Sequence, residues 1–403
     1  MIIKPSVSVI SSDRIEAGIE LNIQAQHVLG APDYMSVPDA YAYIPLINSH
    51  DHLIGNWLPR AGDNRPYPNS HIWVEDMKSA FSYHERNLFW VNDGSFDLLD
   101  PSALLLAKLG CYKNLFSGCG IVQDHAPVQQ DAYYESFPII VPPQFRQCHS
   151  VTLKNWWGGK DPVEEMALSK GLMPFIIHLG EGTDDVTKGE FVALKTMGLL
   201  RKNTLMIHGI AFTEAEIGEI AGIGASVCWC PSSNMYLIGE TFNVESALRQ
   251  GANVALGTDS TMSGGINIIA EFLMAKQIYP DLSTATLYKM ATENAVQALM
   301  LDPKYGTLDP DNTANLLLID RIDNDPFENL LHIEAENIRL LLVDGVPRFG
   351  DAEWVESYLV CGEDYTIFRT GKREKFVVGD PMELNDIIDE RLGYHKDFPY
   401  LPF

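Results

Sequence analysis

Two histidines one residue apart, His50 and His52, close an apolar run, Tyr43-Ile44-Pro45-Leu46-Ile47. On a strand, alternate side chains share a face, so both imidazoles point one way and Asp51 the other. Neutral imidazole is the commonest side-chain metal ligand and suits zinc or iron. Such a pair alone reads equally well as a polar strand end. Its meaning depends on other strand ends. Three more apolar runs finish in comparable residues: Phe175-Ile176-Ile177-His178, with Glu181 three residues on, Leu205-Met206-Ile207-His208, and Val254-Ala255-Leu256-Gly257-Thr258-Asp259. Singly, each histidine is a satisfied polar group and Asp259 a helix N-cap. Four histidines and an aspartate, all in one kind of position, go beyond coincidence.

The elements that must position these residues alternate in type. Helical patterns run from Ala103 to Leu115, Val163 to Lys170, Glu190 to Met197, Thr213 to Ile223 and Val244 to Gln250. The fourth opens on a capping signal, Thr213-Glu214-Ala215-Glu216. Between them lie apolar runs, among them Gly120-Ile121-Val122-Gln123-Asp124-His125 and Ala225-Ser226-Val227-Cys228-Trp229-Cys230. All-apolar strands alternating with helices predict a parallel sheet covered on both faces, either doubly wound or closed into a barrel. No Gly-x-Gly-x-x-Gly or Gly-Lys-Ser/Thr motif is present, which weighs against a nucleotide-binding sheet. In a barrel the C-terminal strand ends share one face, so residues distant in sequence converge there.

The chain ends read differently. Residues 1–42 hold short extended pieces that cannot bury a core alone. Ala314 to Ile319 and Ile338 to Val343, with an Asp344-Gly345 turn, offer partner strands. The expected organisation is a small β-domain from residues 1–43 and 311–350, a barrel over 44–310, and an extension over 351–403. A hairpin around Tyr365 to Arg373 and a helix from Pro381 to Arg391 lie in the extension, packing on the body or on a second subunit. Residues 53–100, rich in Trp, Tyr, Pro and Asn, read as a long loop region with some helix. The net charge of -25 over 403 residues argues against nucleic acid and anionic membranes as partners. No secretory signal and no membrane-length apolar run is read. The six cysteines lack zinc-ribbon spacing, which suggests reduced thiols and a cytoplasmic setting.

Through His50-x-His52, His178-Leu179-Gly180-Glu181, His208, Cys230-Pro231-Ser232-Ser233-Asn234 and Gly257-Thr258-Asp259-Ser260, the chain resembles the amidohydrolase superfamily. The likeness is to the branch of cytosine deaminase, guanine deaminase and the triazine chlorohydrolases. It continues through Met290-Ala291-Thr292-Glu293-Asn294-Ala295 and Tyr305-Gly306-Thr307-Leu308, covering about residues 44 to 348. It implies a distorted (β/α)8 TIM barrel with a small β-sandwich domain formed by both ends of the chain. It also implies His50, His52, His178 and Asp259 as ligands of one divalent metal ion, zinc foremost, with Fe2+ or Mn2+ as alternatives. Glu181 would shuttle the proton, His208 would orient water or substrate, and Asp259 would take the water's proton. Trp57, Arg60, His125 and Asn234 are the expected substrate contacts, with His84, His149 and Trp229 as further pocket candidates.

Three departures from the family pattern stand out. Pro45-Leu46 replaces Pro-Gly, Ala314-Asn315-Leu316 replaces Ala-Asp-Leu, and the pocket-shaping span from His52 to His178 matches poorly. Lys154 and Lys160 are the candidates for a carboxylated lysine bridging two metals, and neither sits at a clear strand end, so one metal is expected. Ser232 and Ser233 read as turn caps. The implied activity is hydrolytic deamination of an N-heterocyclic aromatic through a metal-bound hydroxide. The substrate would be a purine or pyrimidine base, a nucleoside or a triazine, and a homo-oligomer is left open. A cyclic amidase or imidazolone-type C–N hydrolase is one alternative, and a non-catalytic metal-binding scaffold is another.

Overall fold

Pro45 divides the first apolar run between two sheets. In the computed structural model, which describes residues 1–26, 32–92, 95–155 and 158–403, strand Tyr34–Tyr43 belongs to one sheet and strand Leu46–Asp51 to another. Proline has no N–H to give a ladder, so the pairing breaks there and the chain changes partners. The single strand expected from Tyr43 onward is thus two, and the histidines sit on the second.

Strand Leu46–Asp51 pairs in parallel with Cys119–Asp124. Five further parallel strands follow in neighbouring order: Arg146–Ser150, Phe175–Leu179, Thr204–His208, Ser226–Trp229 and Asn253–Leu256. The ring closes where the amides of Thr258 and Asp259 both donate to the carbonyl of His50, at 3.1 Å each. Between Cys119–Asp124 and Arg146–Ser150 a single bridge, Ile121 to Ile140, stands where a full strand would continue the ring. The result is a distorted (β/α)-type barrel. Its strands are buried on both faces, which is why they read as unbroken apolar runs rather than alternating ones. The helices between them fall where the sequence places them, within a few residues. At Thr213 the capping box forms in full: its side chain accepts from the Glu216 amide and the Glu216 side chain from its own.

The two chain ends share one nine-stranded sheet. Its order runs from Tyr365–Thr370 through Arg373–Val378, Val346–Asp351, Ile338–Val343, Leu316–Asp320 and Tyr34–Tyr43 to Ile2–Ser11 and Arg14–Ala17, with Leu21–Asn22 paired to Ile2–Ser11. Here the period-two alternation is visible. Tyr41, Tyr43, Leu317, Ile319, Leu341 and Val343 join the barrel core. Ala40, Ala42, Leu316, Leu318, Leu340 and Leu342 build a second core on the opposite face. The sheet does not stop near residue 350, because Arg373–Val378 pairs antiparallel with Val346–Asp351. Helix Pro381–Leu392 follows, and the aromatic tail then returns to the barrel, where the Tyr400 hydroxyl donates to the Asn56 carbonyl at 2.6 Å.

The long segment after the first barrel strand holds helices Ser70–Asp76 and Phe81–Trp90 and roofs the barrel mouth. Among the described residues no helix is long and apolar enough to cross a membrane.

Candidate metal centre and reaction chamber

Strand alternation works as the sequence implies. His50 and His52 project into the barrel mouth, and their ring centroids lie 5.0 Å apart. Asp51 turns the other way, into a buried polar cluster. There it accepts from Lys113 Nζ at 3.0 Å, Asn114 Nδ2 at 2.9 Å and Asn56 Nδ2 at 3.1 Å. The lysine also donates to the backbone carbonyl of Asp259, at 3.1 Å. One side of the strand end therefore carries imidazoles, and the other ties it to Asp259.

The ring nitrogens are pre-set by their second partners. His178 Nδ1 lies 2.7 Å from the carbonyl of His149. A carbonyl only accepts, so Nδ1 carries the proton and Nε2 presents a lone pair. The His125 backbone stands by the His52 ring and favours its holding a proton on that side. The two free nitrogens, His52 Nε2 and His178 Nε2, then face each other at 3.2 Å. Lone pairs held this close repel unless a cation lies between them. Nitrogens each about 2.0–2.1 Å from a tetrahedral ion stand roughly 3.3 Å apart. Asp259 Oδ1 is 3.8 Å from both His50 Nε2 and His52 Nε2. His50 is fully buried, and neither of its nitrogens has a hydrogen-bond partner. An orphaned buried imidazole inside this group is accounted for by a metal, and three nitrogens with one carboxylate oxygen suit a divalent ion of the zinc type.

Electrostatics agree with that donor set. Burial, followed by the neighbouring imidazoles, holds the pKa of His50 and of His178 well below the ordinary range, so both are neutral, as ligands must be. Burial raises the Asp259 carboxyl, but His52, His208 and the hydroxyls of Ser263 and Ser233 outweigh it, and the net shift is downward. Those hydroxyls donate to Oδ2 at 2.6 and 2.8 Å, which leaves Oδ1 for the centre. Ser233 was expected to cap a turn. It steers a carboxylate instead, because helix Pro231–Leu237 starts directly beneath the mouth. His208 and Asp259 both have positive φ, 76° and 54°, a costly backbone state that turns each side chain inward at its strand end.

Glu181 stands across from the ligands. Its Oε1 lies 3.4 Å from His208 Nε2. His208 Nδ1 donates to Asn234 Oδ1 at 2.8 Å, and the Asn234 amide donates onward to Thr241 Oγ1 at 3.2 Å, which fixes its orientation. Burial lifts the pKa of Glu181, with His208 opposing. A carboxyl shifted this way holds its proton more tightly than a free one, as a general acid must.

The four expected substrate contacts are placed elsewhere. Trp57 is fully buried between Phe89 and Phe398, with its indole N–H on Glu85. Arg60 lies over the Tyr236 ring and donates to the Gly264 carbonyl. Asn234 stands behind His208, not in front of it. His125 stacks on His178 at 4.3 Å between centroids and lies within ligand reach of His50, His52 and His178, so it belongs with the imidazole cluster. Of the further candidates, His149 lines the chamber, His84 is exposed and Trp229 is buried on Thr241. Lys154 and Lys160 are both exposed, Lys160 pairing with Glu164, so neither can bridge two buried ions.

The wall facing the centre is built by Ile54, Trp73, Val74, Met77, Trp90 and Met262, with Arg86 among them. Only the crowding of aromatics between residues 53 and 100 hinted at this wall. About 720 Å³ of the chamber, its opening to solvent included, is free of protein atoms.

Comparison with known proteins agrees with this geometry. Residues 163–348 match the Amidohydrolase family. A 5-methylthioadenosine/S-adenosylhomocysteine deaminase of Pyrococcus abyssi is 33% identical over 202 residues, 46% of this chain and 45% of the relative. That of Teredinibacter turnerae is 25% identical over 366 residues, 78% of this chain and 79% of the relative. The chain spans about half the length of the first of these relatives. Among solved structures, an adenosine deaminase from Xanthomonas campestris with bound zinc superposes with a TM-score of 0.69 at 18% identity, covering 97% of each chain. A triazine hydrolase variant gives 0.71 at 16%, covering 97% of this chain and 99% of the other. At these identities the likeness to the solved structures concerns the fold. The chain is thus similar to the Amidohydrolase family over residues 163–348 and to deaminases along much of its length, and its barrel fold is that of the solved deaminase and triazine hydrolase.

Proposed function

We propose that this protein is a metal-dependent hydrolase that deaminates an N-heterocyclic aromatic, a purine or pyrimidine base, a nucleoside or a triazine. His50, His52, His178 and Asp259 would hold a single divalent ion, zinc foremost. Such an ion lowers the pKa of bound water from about 16 to roughly 7 and so supplies hydroxide at neutral pH.

The chain's own groups do the rest. Asp259, fixed by two serine hydroxyls, accepts the proton released from water. Glu181 delivers a proton to the ring nitrogen beside the amino-bearing carbon, making that carbon electrophilic. The proton held by Asp259 passes to the departing amine, and Glu181 takes back a proton from the hydroxyl as it becomes the oxo group, so that water and the aminoheterocycle become the oxo-heterocycle and ammonia. His208, held by Asn234, offers its Nε2 lone pair to the attacking water or the substrate and so orients it. The apolar wall of Trp73, Val74, Met77 and Met262 covers the ring and excludes bulk water.

The observation that carries this reading is Glu181, buried and raised in pKa, within 3.4 Å of His208 in the chamber that holds the ligand set. A non-catalytic metal scaffold has no use for that pair. Ammonia release by zinc-loaded protein across a panel of aminoheterocycles tests the proposal. No release, together with ring opening of cyclic amides, would overturn it.

A further inference from the structure

One charge in the chamber wall has no counter-charge. Arg86, on helix Phe81–Trp90, is only 6% exposed and lines the same chamber as His52, His178, Glu181 and Asp259. Among the described residues no carboxylate lies within 4 Å of its guanidinium. Its neighbours are neutral. Nη1 points at Met262 Sδ at 3.3 Å, and the guanidinium carbon sits 4.5 Å from the Tyr83 ring centre and 4.8 Å from that of Trp90. Nε is buried with no hydrogen-bond partner. The adjacent acid, Glu85, is turned away and occupied by Lys396 and Trp57.

Burial of an unpaired cation is costly, and aromatic faces offset only part of that cost. Desolvation pulls the Arg86 pKa down to about 10, so the charge is still present at neutral pH. The guanidinium has five donors in a planar fork that matches the two oxygens of a carboxylate. The arrangement is that of a binding site made before its ligand arrives. A single positive charge in apolar surroundings is neutralised by a monoanion, whereas a phosphate dianion would leave a negative charge buried.

We propose that Arg86 docks a carboxylate borne by a substituent of the heterocyclic substrate. This rests on the deaminase reading for the ring itself, and the subsite stands on the unpaired guanidinium. The substrate class is then an anionic aminoheterocycle, not a bare base.

The test uses matched pairs of probes on zinc-loaded full-length protein. The pairs are adenine with 9-carboxymethyladenine, cytosine with 1-carboxymethylcytosine, and guanine with 9-carboxymethylguanine, together with adenosine and its 5′-carboxylate. Binding by calorimetry and ammonia release are both read. On at least one ring the carboxylate member should bind about 30-fold tighter than its neutral partner, in line with the loss of a buried charge pair. Arg86→Met should abolish that preference, weakening the carboxylate members about 30-fold relative to their neutral partners, and Arg86→Lys should restore part of it. A loss confined to the carboxylate members, with an unfolding midpoint no lower than the parent's, separates a lost subsite from a damaged fold. Carboxylate preference without ammonia keeps the subsite and removes the deaminase reading. Ammonia from neutral probes without any carboxylate preference does the reverse. Equal loss of both probe types in Arg86→Met, or no binding by any pair, overturns the subsite.

Discussion

Replacing Asp51 by asparagine tests how the strand end is held. Asp51 and Lys113 form an ion pair at 3.0 Å with both side chains at 0% exposure. Asparagine keeps the shape and removes one charge. Leaving one member of a buried pair uncompensated costs about 3–5 kcal/mol. Lys113 keeps neutral acceptors at Asn56 Oδ1, Thr258 Oγ1 and the Asp259 carbonyl, at 2.8, 3.0 and 3.1 Å, so the lower end, about 3 kcal/mol, is expected. With an unfolding entropy near 2.1 cal/mol/K per residue, a chain of this length should lose about 4 °C in Tm. Adding Lys113→Met removes the stranded charge and should recover more than half of that loss, because the two effects are coupled. The assay is thermal unfolding of the two single variants, the double variant and the parent, each with excess zinc and again with chelator, since bound metal itself raises Tm. Zinc content of Asp51→Asn should match the parent, because this carboxylate points away from the centre. A shift below about 1 °C, or a double variant no more stable than Asp51→Asn, would refute the argument.

Three other outcomes follow from the same geometry. His52→Asn and His178→Asn should each lose most bound zinc by elemental analysis, while His84→Asn, exposed and outside the cluster, should keep it. Glu181→Gln should bind zinc normally yet release ammonia about 10²–10⁴-fold more slowly; a loss under tenfold would remove Glu181 from proton transfer. Glu271 is fully buried and accepts from the amides of Ser232 and Gly265, and burial raises its pKa to about 7. A carboxyl raised in the folded state binds its proton more tightly there, so its contribution is favourable at low pH and is lost as pH climbs from the unfolded value through about 7. Glu271→Gln should therefore flatten the fall in denaturant stability between pH 5.5 and pH 8, and parallel curves for the two proteins would count against it.

Much of the site was legible because barrel strands announce themselves. Phe175–Leu179, Thr204–His208 and Asn253–Leu256 are apolar along their length, and polar residues at their ends stand out. One pattern thus located His178, His208 and Asp259, and period two gave the opposed faces of His50 and Asp51. An apolar run does not say which sheet its halves join, and Pro45 marks the change of sheet here. Trp57 packs against Phe398 of the tail, a partner that no local pattern shows.

The sequence by itself therefore determined the elements, a parallel sheet covered on both faces and the residues able to hold an ion. Local periodicity and strand-end position are properties of short segments, so they survive without the fold. Only the tertiary structure decided what surrounds them. It set Ser233 and Ser263 on Asp259, Asn234 behind His208, and Lys113 beneath Asp51. It also left Arg86 without a counter-charge in the chamber wall. Hydrogen-bond partners and burial depend on residues tens to hundreds of positions apart, and no local pattern encodes such pairings.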